Sequence, residues 1–295
     1  MKSGPKRNLA AFAALSLAGF GWGLGFPMGK LALAETGASS MVLLRFSIAA
    51  VIALPFVLRN AATRAMLRSW PVIGSGVLYG VGFVLQFEGL ARANVAISAL
   101  LVGILPAMVA VAARLAGDRI SKMSWAGVIA ATAGAALLAG KPEGAATTAG
   151  IVITLISMVV FCAWFFLLKT APAPPDPVAI PAAMVVVAAV AIAPIALAMH
   201  GAPKLDLTPV AWGSIVGQAL LSTVIATAAW QYGSTRVSSA AAGVFINIEP
   251  MLGALLGVVI FGDHAGWPLA VGGLFVLGGS LVVVLGEKPV PPTPA

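Results

Sequence analysis

FEGLARANVAISALLVGILP (residues 87–106) and QYGSTRVSSAAAGVFINIEP (residues 231–250) align without a gap. Gly89 stands over Gly233, Arg92 over Arg236, Ala96 over Ala240 and Pro106 over Pro250. One inserted residue later Gly117-Asp118 meets Gly262-Asp263, then Gly127 meets Gly272 and Gly134 meets Gly279. Upstream, Trp22 can be set against Trp164. Self-similarity of this kind marks an internal duplication. The chain reads as two units, 1–141 and 146–286, and the fold follows from counting the helices in each.

The chain is 60% hydrophobic and 9% charged, against about 25% charged in an ordinary soluble domain. Its mean hydropathy is +1.05. That many apolar residues cannot be hidden in a water-soluble core, so lipid must be the solvent for most of them. A helix needs about 20 apolar residues to cross the hydrocarbon core. On that basis the spans are 8–31, 38–58, 70–90, 94–114, 123–140, 148–169, 178–200, 209–231, 237–261 and 266–286. Stretches such as AETGASS, GDRISK, APAPPDP and GDHAG punctuate them. The reading is an all-α integral membrane protein with ten transmembrane helices. Five spans per unit is an odd number, so the two units must be inverted repeats. Residues 287–295, ending KPVPPTPA, read as a disordered cytoplasmic tail. The start, MKSGPKRNLAAFAALSLAGF, mimics a signal peptide, but its apolar stretch is too long for one, so the first helix is expected to be retained.

The net charge is +8. The basic residues lie scattered between apolar segments, so they report membrane orientation and not a nucleic-acid surface. With the N-terminus inside, 12 Lys and Arg fall on the cytoplasmic side and 4 outside, with Arg45 left in the second span, from which it is expected to snorkel outward. Both termini should therefore be cytoplasmic, in a cell inner (plasma) membrane. A lone cysteine, Cys162, excludes an internal disulfide and a cysteine metal cluster. His200 and His264 fall in outer loops, away from any carboxylate cluster. No HExxH, GxSxG, Walker A or GxGxxG occurs, and no cluster suits an enzyme acting on lipid. The sequence implies no cofactor, no metal and no catalytic residue.

The stretches ILPAMVAVAARLAGDRISKMSWAGVIAATAGAALL and IEPMLGALLGVVIFGDHAGWPLAVGGLFVLGGSLVV resemble the paired repeats of EamA-type transporters in the drug/metabolite transporter superfamily. There a proline opens the membrane-crossing half of a helix, a Gly-acid pair ends it, and a Gly-rich helix follows. This chain carries Asp118 and Asp263 where the family usually has Glu. Length and small-residue richness are also similar to YddG-like amino-acid exporters. The resemblance implies an inverted-repeat fold, alternating access and export of small metabolites.

Polar residues inside the spans are the candidates for the site. Glu249 and Asn247 face Leu105 and Gly103 in the alignment, so they belong to one half only. Intramembrane carboxylates mark pathways or proton relays. A neutral Glu249 bonded to a neighbouring helix is the competing reading, and the family pattern itself often carries an acid before this proline. Glu249, Pro106 and Pro250 are the gating or coupling candidates. Tyr79, Phe83 and Gln86 share one helix face and suit either a cavity wall or helix-to-helix bonding. Gln218 and Thr223 in the eighth span, Asn247, and the matched Trp22 and Trp164 complete the substrate-binding set. The tryptophans could stack on substrate or simply pack. Glu88 reads as an interfacial partner of Arg92.

The expected function is a secondary exporter of amino acids, including aromatic or other neutral ones, or of similar small metabolites. The expected partners are that small molecule and the lipid bilayer, with no nucleic acid, and the protein is expected to work as a monomer. A broad drug or organic-cation exporter is the alternative within transport.

Overall fold

The structure is a computed structural model. It describes residues 5–117, 119–140, 146–172, 176, 178–237 and 239–286. Asp118, Lys141 and the 287–295 tail lie outside the described residues. Among the described residues, ten helices are long and apolar enough to cross a membrane. They are span 1 (Leu9–Ala32), span 2 (Ala38–Arg59), span 3 (Trp70–Ala91), span 4 (Val95–Leu115) and span 5 (Lys122–Ala139). Span 6 (Thr148–Leu168), span 7 (Ala179–His200), span 8 (Pro209–Ser234), span 9 (Ala242–Phe261) and span 10 (Trp267–Gly286) follow. No strand occurs among the described residues.

Spans 4 and 9 are broken, and the prolines say where. Proline has no N–H, and its ring clashes with the carbonyl four residues back. The carbonyls four residues before Pro106 and Pro250 belong to Val102 and Ile246. The first half of span 4 ends at Val102, and that of span 9 at Ile246. Helix resumes at Leu105 and at Ile248. Gly103 and Asn247 occupy the breaks, as their alignment requires. The tight boundary between spans 3 and 4 is made by Asn94, whose side chain accepts from Ile97 N at 2.9 Å and caps the new helix.

Span 5 packs along span 10, span 2 along span 7, and span 4 along span 9, while span 3 lies on span 6 and span 1 on spans 8 and 9. The contact between spans 5 and 10 depends on missing side chains. A Cβ on Gly127 would sit 2.5 Å from the Gly279 carbonyl oxygen, and one on Gly134 2.6 Å from that of Gly272. Backbones meet this closely only where both helices present small residues. Gly21 gives span 1 a looser approach to span 8, where a Cβ would sit 2.9 Å from the Leu221 carbonyl oxygen.

One end of the bundle is tied by polar contacts. Lys30 Nζ donates to the Leu90 and Ala93 carbonyls at 3.1 and 2.7 Å, at the carboxyl end of span 3. Asp263 Oδ2 accepts from Ala96 N at 2.7 Å, at the start of span 4. Burial pushes the Asp263 carboxyl up, against the Ala96 and Val95 N–H groups and nearby Lys30, which pull it down. The Thr208 hydroxyl and N–H hold the Glu35 carboxyl below the usual range. The expected Arg92–Glu88 pair is present as an ion pair.

Candidate functional site

Arg45 departs from expectation. It lies seven residues into span 2, about 10 Å along the helix, and was expected to reach outward to the interface. Instead its side chain is 1% exposed and crosses the bundle to span 8. Arg45 Nε donates to Thr223 Oγ1 at 2.7 Å and Nη1 to Gln218 Oε1 at 3.2 Å. The guanidinium lies 4.5 Å from the Phe83 ring centroid, with Phe46 and Phe87 each at 5.6 Å. Acceptors and aromatic faces on the bundle side outcompete a path to water. A buried membrane charge still costs about 3 kcal/mol on insertion scales, so its presence calls for a role.

The local backbone of span 8 explains why those acceptors are available. Residues Gln218–Ile225 form a π-helix, in which bonds run to the fifth residue instead of the fourth. Thr223 Oγ1 donates to the Gln218 carbonyl five residues back at 3.1 Å while accepting from Arg45. Gln218 Nε2 contacts Met41 Sδ at 3.5 Å. Ser222 donates to the Gly21 carbonyl at 2.6 Å, pinning the segment to span 1. Gln218 and Thr223 are thus brought together as the holders of Arg45.

The aromatic candidates converge beside this cation. Tyr79 packs edge-on against Phe83 at 4.8 Å and Phe46 at 5.7 Å, and lies 5.3 Å from Trp164 of span 6. Phe161 joins them, 5.2 Å from Phe83. Gln86 is buried one turn beyond Phe83. Trp22 goes elsewhere. Its ring meets Trp230 of span 8 at 5.5 Å, and no ring contact joins it to Trp164 among the described residues. Trp22 thus packs on span 8 and Trp164 on span 3.

Glu249 lies one residue into the second half of span 9, within electrostatic reach of Arg45 and Tyr79. It is half-buried, and its carboxylate forms no hydrogen bond among the described residues. Asn247 sits in the break, its Nδ2 turned to the Val244 carbonyl at 3.5 Å. Pro250 is buried and Pro106 half-buried, each in the first turn of its second half-helix. Asn247 Oδ1, Trp164 Nε1 and Thr227 Oγ1 are buried without a hydrogen-bond partner. Tyr79 approaches Thr227, but not in a normal hydrogen-bond geometry. Buried polar atoms are seldom left unpaired, and Ser75 Oγ, Glu88 Oε1, Ser98 Oγ and Ser280 Oγ are unpartnered as well. By contrast, a cavity of about 400 Å³ among spans 4, 5 and 6 is walled by Met108, Val111, Val128, Val159 and Phe166. Thr132 and Cys162 are the polar side chains on its wall, and no charged group lines it.

The EamA-like transporter family matches the chain twice, over residues 9–140 and 148–285. The chain belongs to this family. It is a membrane transporter and not an enzyme. The biotin transporters of Escherichia coli strains K12 and O157:H7 are each 24% identical to it over 248 residues, covering 82% of this chain and 82% of theirs. A solved protein crystal structure superposes with a TM-score of 0.64 at 20% identity, covering 97% of this chain and 100% of its own. That likeness bears on the fold alone. Membership of this family makes a small molecule the cargo.

Proposed function

We propose that the protein exports amino acids, neutral or aromatic ones included, or similar small metabolites by alternating access between two inverted five-helix repeats. The observation that carries the reading is the convergence of Arg45, Tyr79, Phe83, Trp164, Thr223 and Glu249 from both halves of the chain on one buried site. Arg45 and Glu249 lie in electrostatic reach without an ion pair among the described residues. Opposite charges held apart suit a zwitterion. A buried cation disfavours the organic-cation alternative. Biotin is the second reading, favoured by the names of the two relatives.

Inversion of the halves is supported by the glycines. Gly127 aligns with Gly272, and Gly134 with Gly279, yet Gly127 packs on Gly279 and Gly134 on Gly272. Each contact is the other with the halves exchanged, which is how a two-fold relation looks at its axis. Transporters built this way place substrate where the halves meet. One chain holds both halves of the site, which agrees with a monomer as the working unit.

Purified protein in liposomes, offered a panel of labelled amino acids and biotin, tests the function. Counterflow of at least one panel member above protein-free vesicles is expected, and no transport of any of them would overturn the reading. Orientation in the inner membrane has its own test. The charge bias predicts cytoplasmic termini, so Ala202→Cys should react with an impermeant maleimide on intact cells and Ala65→Cys only after permeabilisation. Both positions are exposed, whereas Thr63 in the same inner helix is 4% exposed and would resist labelling from either side. The opposite pattern would reverse the topology.

A further inference from the structure

We infer that Arg45 is the anchor for a carboxylate on the transported molecule, which makes the cargo a small carboxylate with an apolar or aromatic body. The inference rests on the buried site of spans 2, 3, 6, 8 and 9 being the transport site.

A guanidinium carries five N–H donors in a planar fork. Two contacts occupy Arg45, one from Nε to Thr223 and one from Nη1 to Gln218. Both acceptors are neutral, and no carboxylate pairs with Arg45 among the described residues. Glu249 acts on it only through space. The positive charge therefore lacks the contact that normally accompanies a buried cation. A structural peg between spans 2 and 8 needs no charge, because a neutral amide could bond Thr223 and Gln218 without the cost of burying an ion. What the charge adds is affinity for an anion. The fork geometry suits a carboxylate, which can accept two parallel N–H bonds.

The surroundings fix the rest of the cargo. Phe83 lies against the guanidinium face at 4.5 Å, leaving the in-plane edge to carry the remaining donors. Tyr79 and Phe161 pack around Phe83, and Trp164 lies beyond Tyr79 with its indole N–H unpartnered. These walls recognise an apolar or aromatic body, with the indole N–H available to one polar substituent.

The test uses the full-length protein in liposomes. Labelled L-phenylalanine, L-leucine and biotin are offered in turn, and counterflow of whichever is moved is competed by the unlabelled acid and by its primary amide. The amide keeps shape and size but loses the negative charge. The acid should compete about tenfold or more better than the amide, as expected for a charge-assisted pair. In Arg45→Gln this preference should collapse towards equality, and Arg45→Lys, which keeps a charge without the fork, should retain part of it. A structural role alone would lower the amount of active protein without changing the acid-to-amide ratio. Equal competition by acid and amide in the parent overturns the inference while leaving the transport reading standing, and needs no variant to fold. An unchanged ratio in Arg45→Gln overturns it likewise. If no offered compound moves, the transport reading fails and the inference fails with it.

Discussion

Glu249→Gln should slow transport about tenfold or more and flatten its dependence on pH. The side chain is half-buried, has no hydrogen-bond partner among the described residues and faces Arg45 only through space. Its counterpart in the other half is Leu105, so the helix break works without an acid at this place and the carboxylate answers to something other than architecture. Glutamine preserves length and hydrogen-bonding capacity and removes only the ability to ionise. An interaction made by an ionised group contributes about 1.5–3 kcal/mol, which corresponds to roughly ten- to a hundredfold in rate or affinity. Initial rates in proteoliposomes over a pH series, with and without an imposed proton gradient, provide the measurement. Loss of the gradient response with folding intact assigns coupling to Glu249, and a uniform slowing at every pH assigns gating. Identical rates and identical pH profiles would show that ionisation of Glu249 is irrelevant.

The ten spans were legible to within a few residues because each depends on local chemistry, and the two prolines mark where spans 4 and 9 break. Hydropathy over about 20 residues reports the lipid, and a proline ring reports the carbonyl four residues behind it. The glycines of spans 5 and 10 were legible as aligned positions, although only the fold shows that each packs on the partner of its own match. Arg45 was misread for a physical reason. Its distance from the helix end puts water within reach of a long side chain, and nothing in span 2 reveals that Thr223 and Gln218 stand on the other side. The π-helix at Gln218–Ile225 left no composition signal either, since QALLSTVI suits an α-helix equally well. Phe46 and Phe161 were missed because an aromatic residue in an apolar run is ordinary packing until a cation or a tyrosine is placed beside it. Trp22 and Trp164 occupy matching places in the alignment, but their neighbours differ between the halves. A duplication preserves the backbone relation and leaves the side-chain neighbours free to diverge.

Pro250→Ala should slow transport by about tenfold while leaving membrane insertion intact, and Pro106→Ala should do so less severely. Both prolines end a half-helix four residues earlier, at Ile246 and Val102. Alanine restores the missing N–H and removes the ring clash, which favours a continuous helix by about 3 kcal/mol. If alternating access requires the two halves of span 9 to turn about Asn247, straightening the helix depopulates the bent state that the cycle must visit. Span 4 differs because Gly103 occupies its break. Glycine costs about 1 kcal/mol within a helix, so part of the bend should survive the loss of Pro106. Span 9 has no such reserve, and it also carries Glu249 in the first turn after the break, so any change in the bend moves the acid relative to Arg45. The double variant should be at least as slow as Pro250→Ala alone. Initial rates at equal surface expression, with size-exclusion profiles to confirm folding, measure the effect. Rates like the parent's in both single variants would mean that the breaks are a fixed shape of the bundle, and the movement would have to be sought where span 8 turns from π- to α-helix at Ala226.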